Sequence, residues 1–484
     1  MSTTIIFGPP GTGKTTKLLN MMEREIYAGT DPSRIAFVSF TKAAVNEATT
    51  RASDKFNIAK KDLRWFRTLH SLAFYALGLS RELVMSDYRD FAKSNGFSIS
   101  KKKEGADVVF SDRNSDELIV YLRSLVEATG MSPADVARHW KLGNISLRRY
   151  DQFCKSISEW KKEKKLVEYS DMLSMFISER QSIDVDVAFI DEAQDLTPVQ
   201  WKMVGLAFKD AKKIVIAGDD DQAIYRWAGA DVERMLKIDG TQIILNKSYR
   251  VPESIHKFAR GITSNIKVRK DKDWSSSGSE GSLLRETLLH RIDMTKGSWM
   301  LLGRTAMTLP TYKDELEKRG INYRINGEQV VSKEEISAYK TLQALRDGDS
   351  VSSVDARILM KLSNIKTIKF KSANVCNKDI GDVLTKDNVM LCMIKPSKLR
   401  FINRIKNLDD VRVDVSTIHG VKGSEADNVI LSPTMSRATA QALRAEAYSD
   451  SEHRVWYVGA TRAKEKLFIL REDGENNYIF GRNS

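Results

Sequence analysis

The chain has 484 residues, 42% of them hydrophobic, which is enough for a globular protein with more than one buried core. Its 77 lysines and arginines exceed its 64 acidic residues and give a formal charge of +13, which suits a polyanionic partner. Three scattered cysteines without CxxC spacing argue against an extracellular disulfide framework, and no apolar run is long enough to span a membrane. We therefore expect a cytoplasmic protein.

Short apolar runs rich in β-branched and aromatic residues recur along the chain, and each ends in a polar or glycine-containing cluster. Runs of this kind, followed by helical patterns, predict buried parallel strands and an α/β fold. They cover residues 3–7, 34–40, 185–190, 212–217, 241–246, 299–303, 427–431 and 466–470.

The runs form two groups, before and after Gly240, and each group is interrupted once. Charged residues with apolar positions at helical spacing predict an all-helical insertion over residues 75–183. A mixed pattern marks a second interruption over residues 348–410, and residues 267–282 are expected to form an exposed loop. The predicted first core is residues 1–74 and 184–240, and the predicted second core is residues 241–347 and 411–484.

A glycine-rich stretch, GPPGTGKT, fits the pattern GxxxxGK[ST] between a predicted strand and a predicted helix. The amides of such a loop wrap phosphate oxygens, its lysine reaches the terminal phosphates and its last hydroxyl ligates Mg²⁺. The flanking strand and helix disfavour the alternative, a turn that matches by chance. The predicted nucleotide-binding residues are Gly8, Pro9, Pro10, Gly11, Thr12, Gly13, Lys14, Thr15 and Thr16, with Thr15 also a metal ligand.

The stretch VAFIDEAQD places two acidic residues after an apolar run. Asp191 is expected at the carboxyl end of a strand, where ligands bind in open α/β sheets. Beside the glycine-rich loop, Asp191 is predicted to hold Mg²⁺ through water, and Glu192 to orient and deprotonate an attacking water. Taken alone, the same pair could be an acidic helix start.

Seven motifs follow one another in a fixed order. They are FTKAAVNEATTR (40–51), RTLHSLAF (67–74), DEAQD (191–195), GDDDQAIYRWAGA (218–230), LNKSYRVPESI (245–255), STIHGVKGSEADNVIL (416–431) and YVGATRAKEKLFIL (457–470). In this order they resemble the UvrD/Rep/PcrA group of superfamily 1 helicases over most of the chain outside the two interruptions. The resemblance implies two RecA-like P-loop NTPase cores, with a helical insertion in the first and a reduced insertion in the second.

The resemblance also implies catalytic roles, with ATP and Mg²⁺ as cofactors. Lys14, Glu192 and Gln222 are implied to act from the first core, with Gln222 at the γ-phosphate. Arg250 and Arg462 are implied to reach this phosphate from the second core as arginine fingers, which can raise rates by about 10³–10⁵. Without the motifs, both arginines could be ordinary surface residues. The adenine is implied to stack on Tyr249, and the ribose to bind Glu425.

A third set of residues matches DNA-contacting positions of the family motifs. Tyr225 and Trp227 are implied to face the bases, because stacking on an aromatic ring tolerates any sequence; the alternative for Trp227 is a core tryptophan. Neither histidine of the set has a Cys or His partner at metal-ligand spacing. Of the three aspartates before Gln222, the first is implied near Mg²⁺-linked waters and the other two in structural positions, without an assigned role; the alternative is a solvated turn. The predicted DNA-binding residues are Phe40, Thr41, Lys42, Thr68, His70, Tyr225, Trp227, Thr417 and His419.

The chain departs from the family pattern in two respects. Only seven residues precede Gly8, where the family usually has a glutamine-containing adenine motif, and Thr16 stands where an arginine is common. The motifs therefore do not establish selectivity for ATP over other nucleoside triphosphates. The stretch between the fourth and fifth numbered motifs is short, so the second insertion is expected to be reduced.

The resemblance implies an ATP-driven single-stranded DNA translocase and helicase that moves 3′ to 5′. One alternative is the motor part of an ATP-dependent exonuclease, which would need a nuclease domain after the last motif. Another is a P-loop binding or signalling protein, which would not need two arginine fingers together with a stacking aromatic residue. The expected partners are single-stranded DNA and tailed duplex DNA, with replication or repair proteins as further candidates.

Overall fold

Two sheets of mainly parallel strands organise the chain, and each is covered by helices on both faces. The computed structural model describes residues 2–85, 87–99, 115–143, 145–363, 373–375 and 393–481. Within these ranges, no helix combines the length and apolar character needed to cross a membrane. The mixed α/β architecture with two parallel sheets confirms the predicted fold class.

Within the described residues, the first sheet has six strands in the order β3-β2-β4-β5-β1-β6, and every pairing is parallel. The strands β2 and β4 are buried along their whole length, which explains their uninterrupted apolar sequence. The predicted boundary at residue 240 cuts off β6, which pairs with β1, so the first core extends past it. The strands are β1 (Ser2–Phe7), β2 (Ile35–Ser39), β3 (Phe66–Arg67), β4 (Val187–Asp191), β5 (Lys213–Gly218) and β6 (Thr241–Ile244).

Helices of the first half either pack on this sheet or form a separate group between α3 and β4. Three of them begin with a threonine cap: the Thr41 hydroxyl accepts from the Ala44 amide at 3.2 Å, Thr68 accepts from Ser71 at 3.3 Å, and Thr197 accepts from Gln200 at 3.3 Å. In chain order the helices are α1 (Lys14–Tyr27), α2 (Lys42–Phe56), α3 (Leu69–Ala76), α4 (Arg89–Asn95), α5 (Ser115–Thr129), α6 (Pro133–His139), α7 (Leu147–Lys164), α8 (Tyr169–Ser178), α9 (Pro198–Ala207) and α10 (Val232–Leu236).

The helices α4 to α7 enclose a hydrophobic core of their own, centred on Phe91 and Phe153. The Phe91 and Phe153 rings meet edge to face, with centroids 5.3 Å apart. A buried ion cluster ties these helices to α8: Glu168 accepts from Arg123 and from Lys161, each at 2.6 Å. We call the described part of residues 75–183 the helical insertion.

In the part of the chain that the structure describes, the second sheet has seven strands in the order β10-β9-β13-β8-β14-β15-β7, parallel except for β10 against β9. A separate antiparallel pair joins β11 to β12. The strands are β7 (Ser282–Thr287), β8 (Trp299–Gly303), β9 (Tyr323–Ile325), β10 (Glu328–Gln329), β11 (Val351–Ser352), β12 (Asn374–Val375), β13 (Val413–Thr417), β14 (Ala426–Leu431) and β15 (Ala463–Leu470).

Two helix layers cover the second sheet. One face packs against α12 and α13 through Tyr312 and Leu342, so α13, which precedes the second interruption, is part of the second core. The other face packs against α11 and α17 around Trp456. The helices are α11 (Glu253–Thr263), α12 (Leu309–Arg319), α13 (Lys333–Arg346), α14 (Ser353–Leu362), α15 (Pro396–Ile402), α16 (Arg437–Arg444) and α17 (Glu446–Ala460). Much of the second interruption, residues 364–372 and 376–392, lies outside the described residues.

The expectation of an exposed loop over residues 267–282 is wrong for its central part. The side chains of Lys272 and Trp274 are buried. Trp274 packs on His256 of α11, with ring centroids 4.2 Å apart. Burial of the Lys272 ammonium is costly unless acidic side chains pair with it, and the carboxylates that do so lie in the first core.

We expect Arg123→Ala to destabilise the helical insertion by about 3–5 kcal/mol, because Glu168 would stay buried with only Lys161 to neutralise it. Thermal unfolding followed by circular dichroism, together with limited proteolysis, measures the change. The control is Lys237→Ala, which breaks a pair whose side chains are 74% and 57% exposed and should cost under about 1 kcal/mol. Equal effects of the two substitutions would contradict a structural role for the buried cluster.

Candidate nucleotide and nucleic-acid site

The glycine-rich loop joins β1 to α1 at the carboxyl edge of the first sheet. Gly11 and Gly13 have φ angles of 71° and 77°, in the left-handed region that favours glycine. This bends the loop so that the first-turn amides of α1, which have no partner within the helix, face the space above β1. The Lys14 ammonium donates to the Gly8 carbonyl at 2.8 Å and therefore lies over the loop.

The two predicted acidic residues meet this loop at the end of β4. The Thr15 hydroxyl donates to the Asp191 carboxylate at 2.9 Å. Burial raises the pKa of Asp191 to about 6, whereas Lys14 and Lys422 hold the pKa of Glu192 below its usual value against the effect of burial. A hydroxyl and a carboxylate oxygen side by side fit Mg²⁺, which takes few protein ligands and keeps water and phosphate oxygens.

The second core reaches the glycine-rich loop through residues 248–250. The Ser248 hydroxyl donates to the Pro10 carbonyl at 2.7 Å, and the Tyr249 amide donates to the Gly11 carbonyl at 2.8 Å. The Tyr249 ring is 76% exposed beside the loop, so it is free to stack on a base. Arg250 pairs with Glu425 at 2.5 Å, which brings together the residues predicted at the γ-phosphate and at the ribose.

Arg462, directly after α17, enters the same space from the second core. Its guanidinium donates to the Gln222 side-chain oxygen at 2.8 Å and to the carbonyls of Val458 and Ser424 at 3.0 and 3.1 Å. Burial lowers the pKa of Arg462 to about 9, so the group remains charged at neutral pH. The structure thus brings Lys14, Glu192, Gln222, Arg250 and Arg462 to one interface between the two cores.

An aromatic cluster forms around Tyr225 and Trp227, which lie on the loop that carries Gln222. The Tyr225 ring stacks on Phe40 at 5.1 Å and lies 6.2 Å from Trp227, and His419 of the second core lies 6.4 Å from both Tyr225 and Trp227. Tyr225 and Trp227 are partly exposed. Burial lowers the pKa of His419 well below its usual value, so this histidine is neutral and adds ring surface rather than charge.

The remaining predicted DNA contacts lie at or just after the carboxyl ends of β2, β3 and β13. Thr41 and Thr68 use their hydroxyls as helix caps, and the Thr417 hydroxyl accepts from the Gly420 amide at 3.3 Å. Lys42 is exposed on the first turn of α2. Burial lowers the pKa of His70 to about 4, and its ring faces Tyr169 at 6.0 Å. The described residues contain no group of three or more His, Cys, Asp or Glu side chains that could hold a metal ion.

The prediction from sequence missed several charged residues of this interface. Lys422 pairs with Asp195, donates to the Gln222 carbonyl at 2.7 Å and lies 5.0 Å from the Tyr225 ring centroid. Lys272 and Arg269 pair with the three aspartates that precede Gln222. The sequence signal for these cations was the run of three carboxylates in a mainly apolar stretch, since acidic side chains that are buried require cationic partners.

Thr16, the departure from the family pattern, contacts another arginine. Its hydroxyl accepts from the Arg51 guanidinium on α2 at 2.7 Å. Arg51 also pairs with Glu47 at 3.3 Å and is partly exposed. A guanidinium therefore lies beside the first turn of α1 although the sequence has threonine after Lys14 and Thr15.

Comparisons with known proteins agree with this geometry. A family model described as UvrD/REP helicase N-terminal domain matches residues 1–242, and one described as UvrD-like helicase C-terminal domain matches residues 339–473. The chain is 22% identical over 357 residues to the ATP-dependent DNA helicase PcrA of Bacillus subtilis, covering 68% of this chain and 46% of that protein.

Two further relatives match the chain at similar identity. The ATP-dependent DNA helicase Rep of Buchnera aphidicola is 24% identical over 279 residues, covering 54% of this chain and 41% of the relative. A probable DNA helicase II homolog of Mycoplasma capricolum is 22% identical over 477 residues, covering 86% and 63%. The chain spans about half the length of the curated relatives it matches. Because the N-terminal family model alone covers residues 1–242 of the 484, the chain belongs to the UvrD/REP helicase family.

Proposed function

We propose that this chain is an ATP-dependent single-stranded DNA translocase and DNA helicase that moves 3′ to 5′. The observation that carries the proposal is that one loop, after β5, serves two sites. Gln222 of this loop bonds Arg462 at the nucleotide interface, and Tyr225 and Trp227 of the same loop lie in the aromatic cluster. A movement of Gln222 at the phosphate is therefore transmitted through a short stretch of backbone to Tyr225 and Trp227, which are proposed to stack on the bases.

The proposed hydrolysis uses groups of both cores. The first-turn amides of α1 and Lys14 bind the phosphates, with Lys14 exchanging the Gly8 carbonyl for phosphate oxygens. Thr15, and Asp191 through water, would hold Mg²⁺, which would supply positive charge at the phosphate oxygens. Water attacks the γ-phosphorus, Glu192 accepts the water proton, and the bond from phosphorus to the leaving ADP oxygen breaks. Arg250 and Arg462 stabilise the charge that spreads over the γ-phosphate oxygens.

The proposed DNA path crosses the aromatic cluster at the interface of the two cores. A base stacked on an aromatic ring gains about 1–3 kcal/mol whatever its identity, which suits a protein that steps along any sequence. Phe40 belongs to the first core and His419 to the second, so relative movement of the cores changes the spacing of the stacking surfaces. Tailed duplex DNA and single-stranded DNA are the proposed substrates, and the proposed location is the cytoplasm.

Both matching family models describe helicase domains, and the alternative of an exonuclease motor subunit receives no support from the comparisons. A binding or signalling protein would not require Arg462 buried against Gln222 across two cores. The helicase proposal therefore accounts for more of the interface than either alternative.

Strand displacement with tailed duplexes tests the proposal and its polarity together. With ATP and Mg²⁺, we expect unwinding of a duplex that has a 3′ single-stranded tail and little unwinding with a 5′ tail or blunt ends. Lys14→Ala, which removes the phosphate-binding ammonium, is the control for ATP dependence and should be inactive. Efficient unwinding from the 5′ tail alone would contradict the proposed polarity.

Arg462→Ala should lower the ATPase kcat by about 10³-fold, because a finger acts mainly on the transition state, while nucleotide affinity changes much less. Steady-state ATPase assays and nucleotide-binding titrations separate the two effects. The matched control is Arg471→Ala, which removes an exposed arginine directly after β15 of the second core and should retain activity. If only nucleotide affinity fell in Arg462→Ala, Arg462 would be a binding residue.

Trp227→Ala should uncouple hydrolysis from unwinding, since it removes about 1–3 kcal/mol of base stacking while leaving Gln222 in place. More DNA should be needed to stimulate hydrolysis, unwinding should fall further than hydrolysis, and Trp227→Phe should restore much of both. The salt dependence of DNA binding should stay unchanged in Trp227→Ala, whereas Lys42→Ala should reduce its slope by about 1. A sharp fall in melting temperature without rescue by phenylalanine would show that Trp227 is a core residue.

A further inference from the structure

Three consecutive aspartates, Asp219, Asp220 and Asp221, follow β5 and are buried. We call them the acidic triplet. The side chain of Lys272 has 0% exposed area and pairs with all three, at 3.1 Å from Asp219, at 2.9 Å from Asp221 and in direct contact with Asp220. Lys272 belongs to the second core, so the cluster crosses the interface between the cores.

The segment that carries Lys272 is fixed to α17 of the second core. The Asp450 carboxylate accepts from the amides of Lys267 and Val268, each at 2.9 Å. Arg454 of α17 donates to the Asp220 carbonyl at 2.8 Å. Since Arg462 follows α17 directly, Lys272 and Arg462 are carried by one connected part of the second core.

Asp219 connects the cluster to Gln222. One of its oxygens, Oδ1, faces Lys272, and the other, Oδ2, accepts from the Gln222 side-chain amide at 2.6 Å. An amide side chain donates only through nitrogen and accepts only through oxygen, so this bond turns the Gln222 oxygen toward the Arg462 guanidinium at 2.8 Å. The opposite orientation would set oxygen against carboxylate and nitrogen against guanidinium.

Stability alone does not require an ion cluster here, because a buried ion cluster that is replaced as a whole by apolar residues commonly loses no stability. What apolar residues would not supply is a cation at Asp219 Oδ1, which also accepts from the Asp221 amide at 3.2 Å. We propose that Lys272 is a positioning residue, which holds Asp219 so that Gln222 presents its amide to Arg462 and to the terminal phosphate of ATP. This inference rests on the proposed function and adds a residue of the second core that controls Gln222.

Arg269 offers a matched control within the same cluster. It pairs bidentately with Asp221, at 2.9 and 2.7 Å, and its side chain is also largely buried. Among the described residues, the Asp221 carboxylate makes no hydrogen bond to Gln222. Loss of Arg269 therefore removes a comparable cation without removing the contact to Asp219.

The experiment compares Lys272→Met and Arg269→Met by melting temperature and by ATPase kinetics with saturating poly(dT). We expect Lys272→Met to lower kcat about 10- to 100-fold with little change in the KM for ATP, as misplacement of a catalytic group does. Arg269→Met should lower the melting temperature to a similar extent and keep kcat within about threefold of the wild type. Equal losses of kcat in the two variants would overturn the inference.

A double variant, Lys272→Met with Asp220→Asn, keeps the net charge of the cluster and covers the case in which Lys272→Met does not fold. It should melt near the wild-type temperature but keep the kcat defect, because Asp219 still lacks its cation. Wild-type kcat in this variant would overturn the inference and leave the proposed function intact. A wild-type protein without DNA-stimulated ATP hydrolysis would instead overturn the proposed function, and the inference with it.

Discussion

Parallel strand pairing is the constraint on which the nucleotide site depends. In the first sheet β4, β5 and β1 are neighbours, with Ile190 opposite Ile216 and Phe7 opposite Gly218. Their carboxyl ends therefore share one edge, and the glycine-rich loop, Asp191 and the loop bearing Gln222 emerge side by side. Each could be displaced only by changing the register of a buried strand, which would turn its apolar side chains out of the core.

The second core completes the site by supplying positive charge. Arg250, Arg462, Lys422 and Lys272 all approach from this side, whereas Asp191, Glu192, Asp195 and the acidic triplet belong to the first core. Burial raises the pKa of Asp195 to about 7 even with Lys422 beside it. Opposite charges on the two cores make their association depend on geometry, because each buried charge is costly unless its partner is in place.

Much of this arrangement could be predicted from the sequence, because it depends on local patterns. Apolar runs indicated the strands, and loop residues directly after them, such as Lys14, Asp191 and Gln222, could be assigned to one edge. The fold class and the family were confirmed, whereas the roles of the individual site residues remain predictions. The buried Lys272 could not be predicted, since its partners lie about fifty residues away in another core and the surrounding residues are those of a polar loop.

The glycine-rich loop uses different atoms of its peptide groups toward the second core and toward anions. Its carbonyls at Pro10 and Gly11 accept from the second core, and the amides at the start of α1 remain for anions. A Cβ at Gly11 would lie 2.4 Å from the Cβ of Arg250, so the two backbones meet without an intervening side chain. Docking of the second core and the proposed binding of phosphate therefore do not compete for the same hydrogen-bonding groups. Because a carbonyl and the N–H that follows it lie in one rigid plane, a movement of the second core that tilts these carbonyls also tilts amides of the loop.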